Sequence, residues 1–134
     1  TPNADVVVLC AAVADFTVAK QETQKVKRGK ENYNLELTPT KDIAAWVGEN
    51  KPKGCITVGF ALETNNERQN AQDKLARKNL DMIVLNSMQD AGAGFGHDTN
   101  KVTMFFKNAQ PKEFELKRKQ DVANDILDNI ETLM

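Results

Sequence analysis

Asp5-Val6-Val7-Val8-Leu9-Cys10-Ala11-Ala12-Val13-Ala14-Asp15-Phe16 is the stretch from which this chain is best read. Between Val6 and Ala14 it shows none of the polar alternation expected of a strand with one wet face. An apolar run of this kind suits a strand covered on both faces, as in a parallel sheet with helices on either side. In open sheets of that type ligands bind beyond the carboxyl ends of the strands. Asp15 would then stand at the rim of a pocket. A basic segment follows, with Lys20, Lys25, Lys27, Arg28 and Lys30 set against Glu22 alone. That is a formal excess of about four positive charges. The segment holds little core-forming content and reads either as a mobile cationic flap over an anionic ligand or as a charged loop.

Working outward, Tyr33 to Thr38 alternates like a short half-exposed strand and Pro39 breaks it. Thr40 can cap a helix of roughly Lys41 to Glu49 that turns Ile43, Ala44 and Val47 to one side. Cys55 to Leu62 is a second apolar strand. Asn66 then caps a helix from Glu67 to about Lys78, with Gln69 placed for a capping box and Ala71, Leu75 and Ala76 turned inward. Met82 to Asn86 is a third strand, and the alternation of strand and helix implies a parallel sheet. Beyond it lie a glycine-rich loop from Ala91 to Gly96, a hairpin of Val102–Phe106 with Phe114–Lys117, and an amphipathic helix over Lys119–Met134. In that helix Val122, Ile126, Ile130 and Leu133 form the apolar stripe, flanked by Ala123 and Leu127. The expected fold is an α/β, Rossmann-like three-layer sandwich with a mainly parallel sheet and a C-terminal antiparallel hairpin.

The 134 residues suffice for one core, so residues 1–134 are expected to form a single domain. The chain opens at Thr1 on what is already a central-type strand, which suggests a piece of a longer protein lacking its N-terminal strand or strands. A net charge of -1 gives no global attraction to nucleic acid or anionic membrane, so any anion site is local. Cys10 and Cys55 fall inside apolar strands without CxxC spacing and read as buried thiols in a reducing, cytoplasmic setting. There is no signal peptide and no apolar run of membrane-spanning length. His97, the one histidine, lies beside Asp98 in a polar loop and cannot alone complete a triad. Gly92, Gly94 and Gly96 resemble a phosphate cradle but lead into turn and strand rather than a helix N-terminus. Asp15, the Thr40-to-Ala44 turn, Phe60 and Asn86 would converge near strand ends and a helix start. Lys74 and Lys78, four apart on one helix, reach the same side and are either anion ligands or a solvated face.

Taken together, these positions carry a resemblance. Ala11-Ala12-Val13-Ala14-Asp15-Phe16 followed by Lys25-Val26-Lys27-Arg28 resembles the AAVADY and KxKK signature of phosphopantothenoylcysteine synthetase. That synthetase is the C-terminal half of the bifunctional coenzyme A biosynthesis flavoprotein. Thr40-Lys41-Asp42-Ile43, Val58-Gly59-Phe60-Ala61-Leu62-Glu63-Thr64, and Lys74 to Asp81 leading into Ile83-Val84-Leu85-Asn86 match in order, as does Gly94-Phe95-Gly96 with Asn100.

The resemblance implies a ligase of coenzyme A synthesis that joins 4'-phosphopantothenate to cysteine with CTP, through an acyl-cytidylate. By the same resemblance Asp15, Phe60 and the turn of Lys41, Asp42, Ile43 and Ala44 would contact the cytidine nucleotide, and Lys74 with Lys78 would hold its phosphates. Ala11 and Ala12 would border the phosphopantothenate. Lys25 would be the catalytic cation and a further CTP contact, with Lys27 and Arg28 on the same flap; Arg28 stands where the motif has lysine, keeping charge but changing hydrogen-bond geometry. Mg²⁺ would bridge triphosphate oxygens with few protein ligands, so no metal box is expected. The resemblance also implies a homodimer in the full protein, FMN only in a fused decarboxylase domain, and no nucleic-acid or membrane partner. The family's glycine-rich first turn and acyl-phosphate asparagine would lie upstream of Thr1, so this stretch by itself is expected to be a poor catalyst. The rival reading is a non-catalytic Rossmann-like module binding a nucleotide or RNA through the basic loop, which lacks the interleaved aromatics usual in such sites.

Overall fold

The computed structural model describes residues 3–87 and 97–134. In chain order the elements are β1 (Val6–Leu9), β2 (Phe16–Val18), β3 (Leu37–Pro39), α1 (Ile43–Asn50), β4 (Ile56–Glu63), α2 (Glu67–Arg77), β5 (Met82–Ser87), β6 (Thr99–Asn100), β7 (Val102–Phe106), β8 (Lys112–Glu113), β9 (Lys117–Arg118) and α3 (Lys119–Glu131). They form two compact units, Thr1–Cys10 with Ala44–Met134, and Ala11–Ile43.

The larger unit is built on a sheet of order β1-β4-β5-β7-β8. β1, β4 and β5 are parallel neighbours, β7 runs antiparallel to β5, and β8 turns back antiparallel to β7. The α/β fold with a mainly parallel sheet and an antiparallel C-terminal hairpin is therefore as expected. Period-two alternation splits the core into two layers. Met82 and Val84 of β5 face the α3 side with Ile56, Val58, Val102, Met104 and Phe106, and against them pack Val122, Ile126 and Ile130. Ile83 and Leu85 face the other side, where Phe105, Ala61 and Leu80 meet Ala71 and Leu75 of α2. Each such fully buried side chain stabilises the fold by about 1.5–3 kcal/mol relative to exposure.

The α2 C-terminus is closed by a Schellman motif. Asn79 takes the left-handed conformation at φ 49, its N–H donating to the Ala76 carbonyl (3.1 Å) and the Leu80 N–H to that of Leu75 (3.0 Å). The N-terminus departs from expectation. Asn66 sits at φ 47 with no side-chain capping bond, because a capping side chain reaches back to the N–H groups only from extended backbone. Gln69 instead donates to Asp73 Oδ1 at 2.9 Å. Ala76, expected inward, is exposed.

Three further differences have physical reasons. β1 stops at Leu9, and Val8 is 45% exposed, since among the described residues β1 pairs with β4 alone and gains cover on one edge. Cys10 is consequently exposed and only Cys55 is buried. In the hairpin the return strand is Lys112–Glu113, because the Phe114 N–H already closes the ladder on the Val102 carbonyl at 3.0 Å. Lys117–Arg118 pairs with Thr99–Asn100 instead. Leu127 of α3 is exposed. The glycine-rich loop at 91–96 lies outside the described residues.

In the smaller unit β2 and β3 form an antiparallel pair, Phe16 opposite Pro39 and Val18 opposite Leu37. The strand expected over Tyr33–Thr38 is thus shorter and shifted. Thr40 does not open the helix. Its hydroxyl donates to the Ala14 carbonyl (2.6 Å) and its N–H to that of Asp15 (2.9 Å), extending the hairpin, and α1 starts at Ile43. Residues 19–36, which hold the basic segment, carry neither helix nor strand and are exposed.

Candidate functional site

The residues singled out from the sequence divide between the units. Ala11, Ala12, Asp15, Lys25, Lys27, Arg28, Lys41, Asp42 and Ile43 belong to the smaller one, and Ala44, Phe60, Lys74 and Lys78 to the larger. Ala11, Ala12, Asp15 and the three flap cations are exposed. Lys41 and Asp42 immediately precede α1, whose first residues are Ile43 and Ala44. The backbone N–H groups of a helix's first turn lack intrahelical acceptors.

In the larger unit the parallel strands end at Glu63 and Ser87, which are paired across β4 and β5. Alternation along β4 sends Phe60 to the α3 side, where it packs half-buried against the core. Glu63 pairs on the α2 side. Its Oε1 accepts Lys74 Nζ at 2.6 Å and its Oε2 accepts Asn70 Nδ2 at 3.2 Å. The bond from Lys74 is the main reason the Glu63 carboxyl is held below its ordinary value; burial opposes it, and the Lys74 charge and Asn70 add to it. Glu63, Asn70, Asp73, Lys74, Ala76 and Arg77 line an open depression of about 620 Å³. Lys78 is half-buried at the α2 C-cap, where its N–H donates to the Lys74 carbonyl at 3.0 Å. Asn86, at the end of β5, accepts Asn100 Nδ2 on its Oδ1 at 2.8 Å. Asn86 thus lies near a strand end, and its pairing with Asn100 was not read from the sequence.

Glu63, Asn70 and Arg77 were not read as site residues. Asn70, Lys74 and Arg77 recur at four and three residues along α2, a spacing visible in the sequence. Glu63 is joined to them only once the end of β4 is known. Among the described residues no cluster of three or more His, Cys, Asp or Glu is arranged to hold a metal ion. No helix among them is long and apolar enough to cross a membrane.

A second ionic cluster lies at the amino ends of the same strands. Asp81 Oδ2 accepts the Lys51 ammonium, the Thr57 N–H (2.8 Å) and the Thr57 hydroxyl (2.9 Å), and Lys51 Nζ also donates to Thr57 Oγ1 at 3.0 Å. Burial would raise the Asp81 carboxyl, but the bonds from Lys51 and Thr57 outweigh it and hold the group below its ordinary value.

The fold and this site define an α/β domain of the Rossmann-like class with ionised side chains gathered where its parallel strands end. The chain belongs to the family described as the DNA/pantothenate metabolism flavoprotein C-terminal domain, whose profile matches residues 1–134. Among curated relatives it is 53% identical over 130 residues to a cysteine/cysteine sulfinic acid decarboxylase from an unknown prokaryotic organism, covering 97% of this chain and 36% of that protein. It is 46% identical over 129 residues to the coenzyme A biosynthesis bifunctional protein CoaBC of Bacillus subtilis (strain 168), covering 96% of this chain and 32% of that one. The chain thus spans about a third of the length of these relatives. A crystal structure of the C-terminal domain of CoaBC superposes with a TM-score of 0.75 at 36% identity, over 98% of this chain and 55% of that one.

Proposed function

We propose that residues 1–134 are the C-terminal part of a phosphopantothenate–cysteine ligase domain acting in coenzyme A biosynthesis. The observation that carries this reading is the likeness of nearly the whole chain to the C-terminal domain of CoaBC, in sequence and in fold. In the proposed reaction the carboxylate of 4'-phosphopantothenate attacks the α-phosphorus of CTP and pyrophosphate leaves. The cysteine amine then attacks the acyl carbon of the cytidylate and CMP leaves. Both steps bring anions together and spread charge over phosphoryl oxygens, so preorganised cations are what the chemistry needs. Lys25 is assigned that catalytic role, with Lys27 and Arg28 beside it on the exposed segment. Lys74 and Lys78 hold phosphates; Asp15, Phe60 and residues Lys41 to Ala44 contact the nucleotide; Ala11 and Ala12 border the phosphopantothenate. Mg²⁺, when bound, would supply further positive charge to the triphosphate, with few ligands expected from the protein. A homodimeric full protein in the cytoplasm completes the reading, with FMN confined to any fused decarboxylase domain.

A second reading is favoured by one relative. The 53% identical protein is named for decarboxylation of cysteine or cysteine sulfinic acid, so this domain is carried by a protein named for a different reaction. The test is formation of phosphopantothenoylcysteine by the full-length protein with CTP or ATP in magnesium buffer, alongside Lys25→Ala. The ligase reading expects CTP-dependent product and pyrophosphate, with kcat falling by about two orders of magnitude in Lys25→Ala. Absence of product alongside carbon dioxide release from cysteine would favour the second reading.

A further inference from the structure

Lys74 borders the open depression with its ammonium already engaged. It faces Glu63 at 2.6 Å, the two side chains being 32% and 17% exposed. The other carboxylate oxygen is held by Asn70, one turn earlier on α2, whose amide also donates to the Asn65 carbonyl at 2.9 Å. Strand end and helix therefore clasp one carboxylate against one ammonium on the wall of the 620 Å³ depression. Of the other ionised groups there, Asp73 is engaged by Gln69 at 2.9 Å, and Arg77 adds a second cation beside Lys74. A phosphate that reaches Lys74 finds its ammonium already bonded to the Glu63 carboxylate, and two anions on one ammonium repel.

We infer that Glu63 is a positioning counter-ion for Lys74 that a polyphosphate must displace, so that nucleotide binding is an exchange of phosphate for carboxylate on the Lys74 ammonium. While the site is empty, Glu63 holds the Lys74 ammonium at the carboxyl end of β4. When phosphate arrives, the carboxylate swings away from the ammonium. This rests on the reading of Lys74 as a phosphate ligand.

The test is calorimetric titration of the full-length protein with CTP and, separately, inorganic tripolyphosphate, using wild type, Glu63→Gln, Glu63→Asp, Lys74→Ala and the Glu63→Gln/Lys74→Ala double variant. Glu63→Gln keeps the size and one acceptor but removes the competing charge. It is expected to tighten both ligands about two- to fivefold, the scale of a partly exposed charge pair. Glu63→Asp keeps the charge and is expected to show no gain. In turnover the gain falls on KM for CTP. In the Lys74→Ala background it disappears. Asn70→Ala, which frees the second carboxylate oxygen without touching either ion, is expected to shift affinity in the same direction as Glu63→Gln. Unchanged or weaker binding in Glu63→Gln and Asn70→Ala, while Lys74→Ala still weakens both titrations, overturns the inference and leaves Lys74 as a ligand. A gain that survives without Lys74 overturns it too. Undiminished binding in Lys74→Ala overturns the phosphate-ligand reading itself, and the inference with it.

Discussion

Gly48 lies buried in α1 where that helix meets the C-terminal end of α2. A Cβ there would stand 1.9 Å from the Lys78 carbonyl oxygen and 3.3 Å from that of Asn79. Both obstacles are backbone, so neither can rotate aside. The shorter contact is more than about 1 Å inside ordinary van der Waals separation. Relief requires α1 and the end of α2 to part, which also stretches the bond from Asn79 Nδ2 to the Gly48 carbonyl at 2.8 Å. Overpacking of this kind costs about 3 kcal/mol at its upper range, and the hydrogen bond adds about 1 kcal/mol. Alanine's better helix propensity returns about 1 kcal/mol. Gly48→Ala should therefore lose about 3 kcal/mol, a fall in Tm of roughly 10 °C for a chain of this size. Two other glycines calibrate the figure. Gly54 has φ +88, and a Cβ added there would meet nothing within 4 Å beyond its chain neighbours, so Gly54→Ala bears only backbone strain of about 1 kcal/mol. At Gly59 the obstacle is the Leu80 Cδ1 methyl at 2.6 Å, a side-chain end that can turn away, for a loss of about 1 kcal/mol. Thermal and urea melts of the three variants give the ordering directly. If Gly48→Ala melted no lower than Gly54→Ala, the close approach of α1 to the α2 terminus would be refuted.

Other perturbations separate the ionic clusters from the core. Asp81→Asn leaves the Lys51 ammonium, whose side chain is 13% exposed, without its counter-ion, and should cost about 2–3 kcal/mol in urea melts at neutral pH. Because the Asp81 carboxyl is depressed in the folded chain from its ordinary 3.8, its contribution is complete above that value and is lost as pH falls through the lower folded one. Stability of the wild type should therefore drop more steeply below about pH 4 than that of Asp81→Asn. Phe105→Ala, at a side chain 2% exposed between the central sheet and α2, should lose about 3–5 kcal/mol by calorimetry. Arg68→Ala breaks an ion pair with Glu113 whose side chains are 57% and 64% exposed, and should leave the melting curve within about 0.5 kcal/mol of wild type.

What was legible in the sequence was what repeats along it. Met82–Ser87 and Val102–Phe106 are short apolar runs with clear ends, and α3 shows its stripe at Val122, Ile126 and Ile130. Ends and partners were harder. Ala11 to Ala14 continue the apolar run of β1 but pair with no strand among the described residues, so β1 stops at Leu9. Phe16–Val18 is too short to show a period and becomes a strand only opposite Leu37–Pro39. Asn66 has the right chemistry for a cap and the wrong backbone, and side-chain type alone does not specify φ. The site divides in the same way. The lysines were visible as charge, whereas the carboxylate that takes Lys74 lies eleven residues away across a turn, and only the register of β4 brings it under α2.

The two ionic clusters use the same chemistry at opposite ends of the same strands, and their saturation explains their different roles. At the amino ends, a single oxygen of Asp81 receives an ammonium, an amide and a hydroxyl, all from Lys51 and from Thr57, which is fully buried. Any ligand there would have to break three bonds between buried or half-buried groups, so the cluster acts as a clamp joining β4 and β5. At the carboxyl ends, Glu63 bonds, among the described residues, to the tips of two α2 side chains, and its partner Lys74 borders open space. Exchanging that single ion pair for a phosphate replaces one charge-assisted bond with another of the same kind, leaving the sheet and its core untouched. On the proposed reading, the carboxyl edge is the end of the sheet where such an exchange disturbs the fewest bonds.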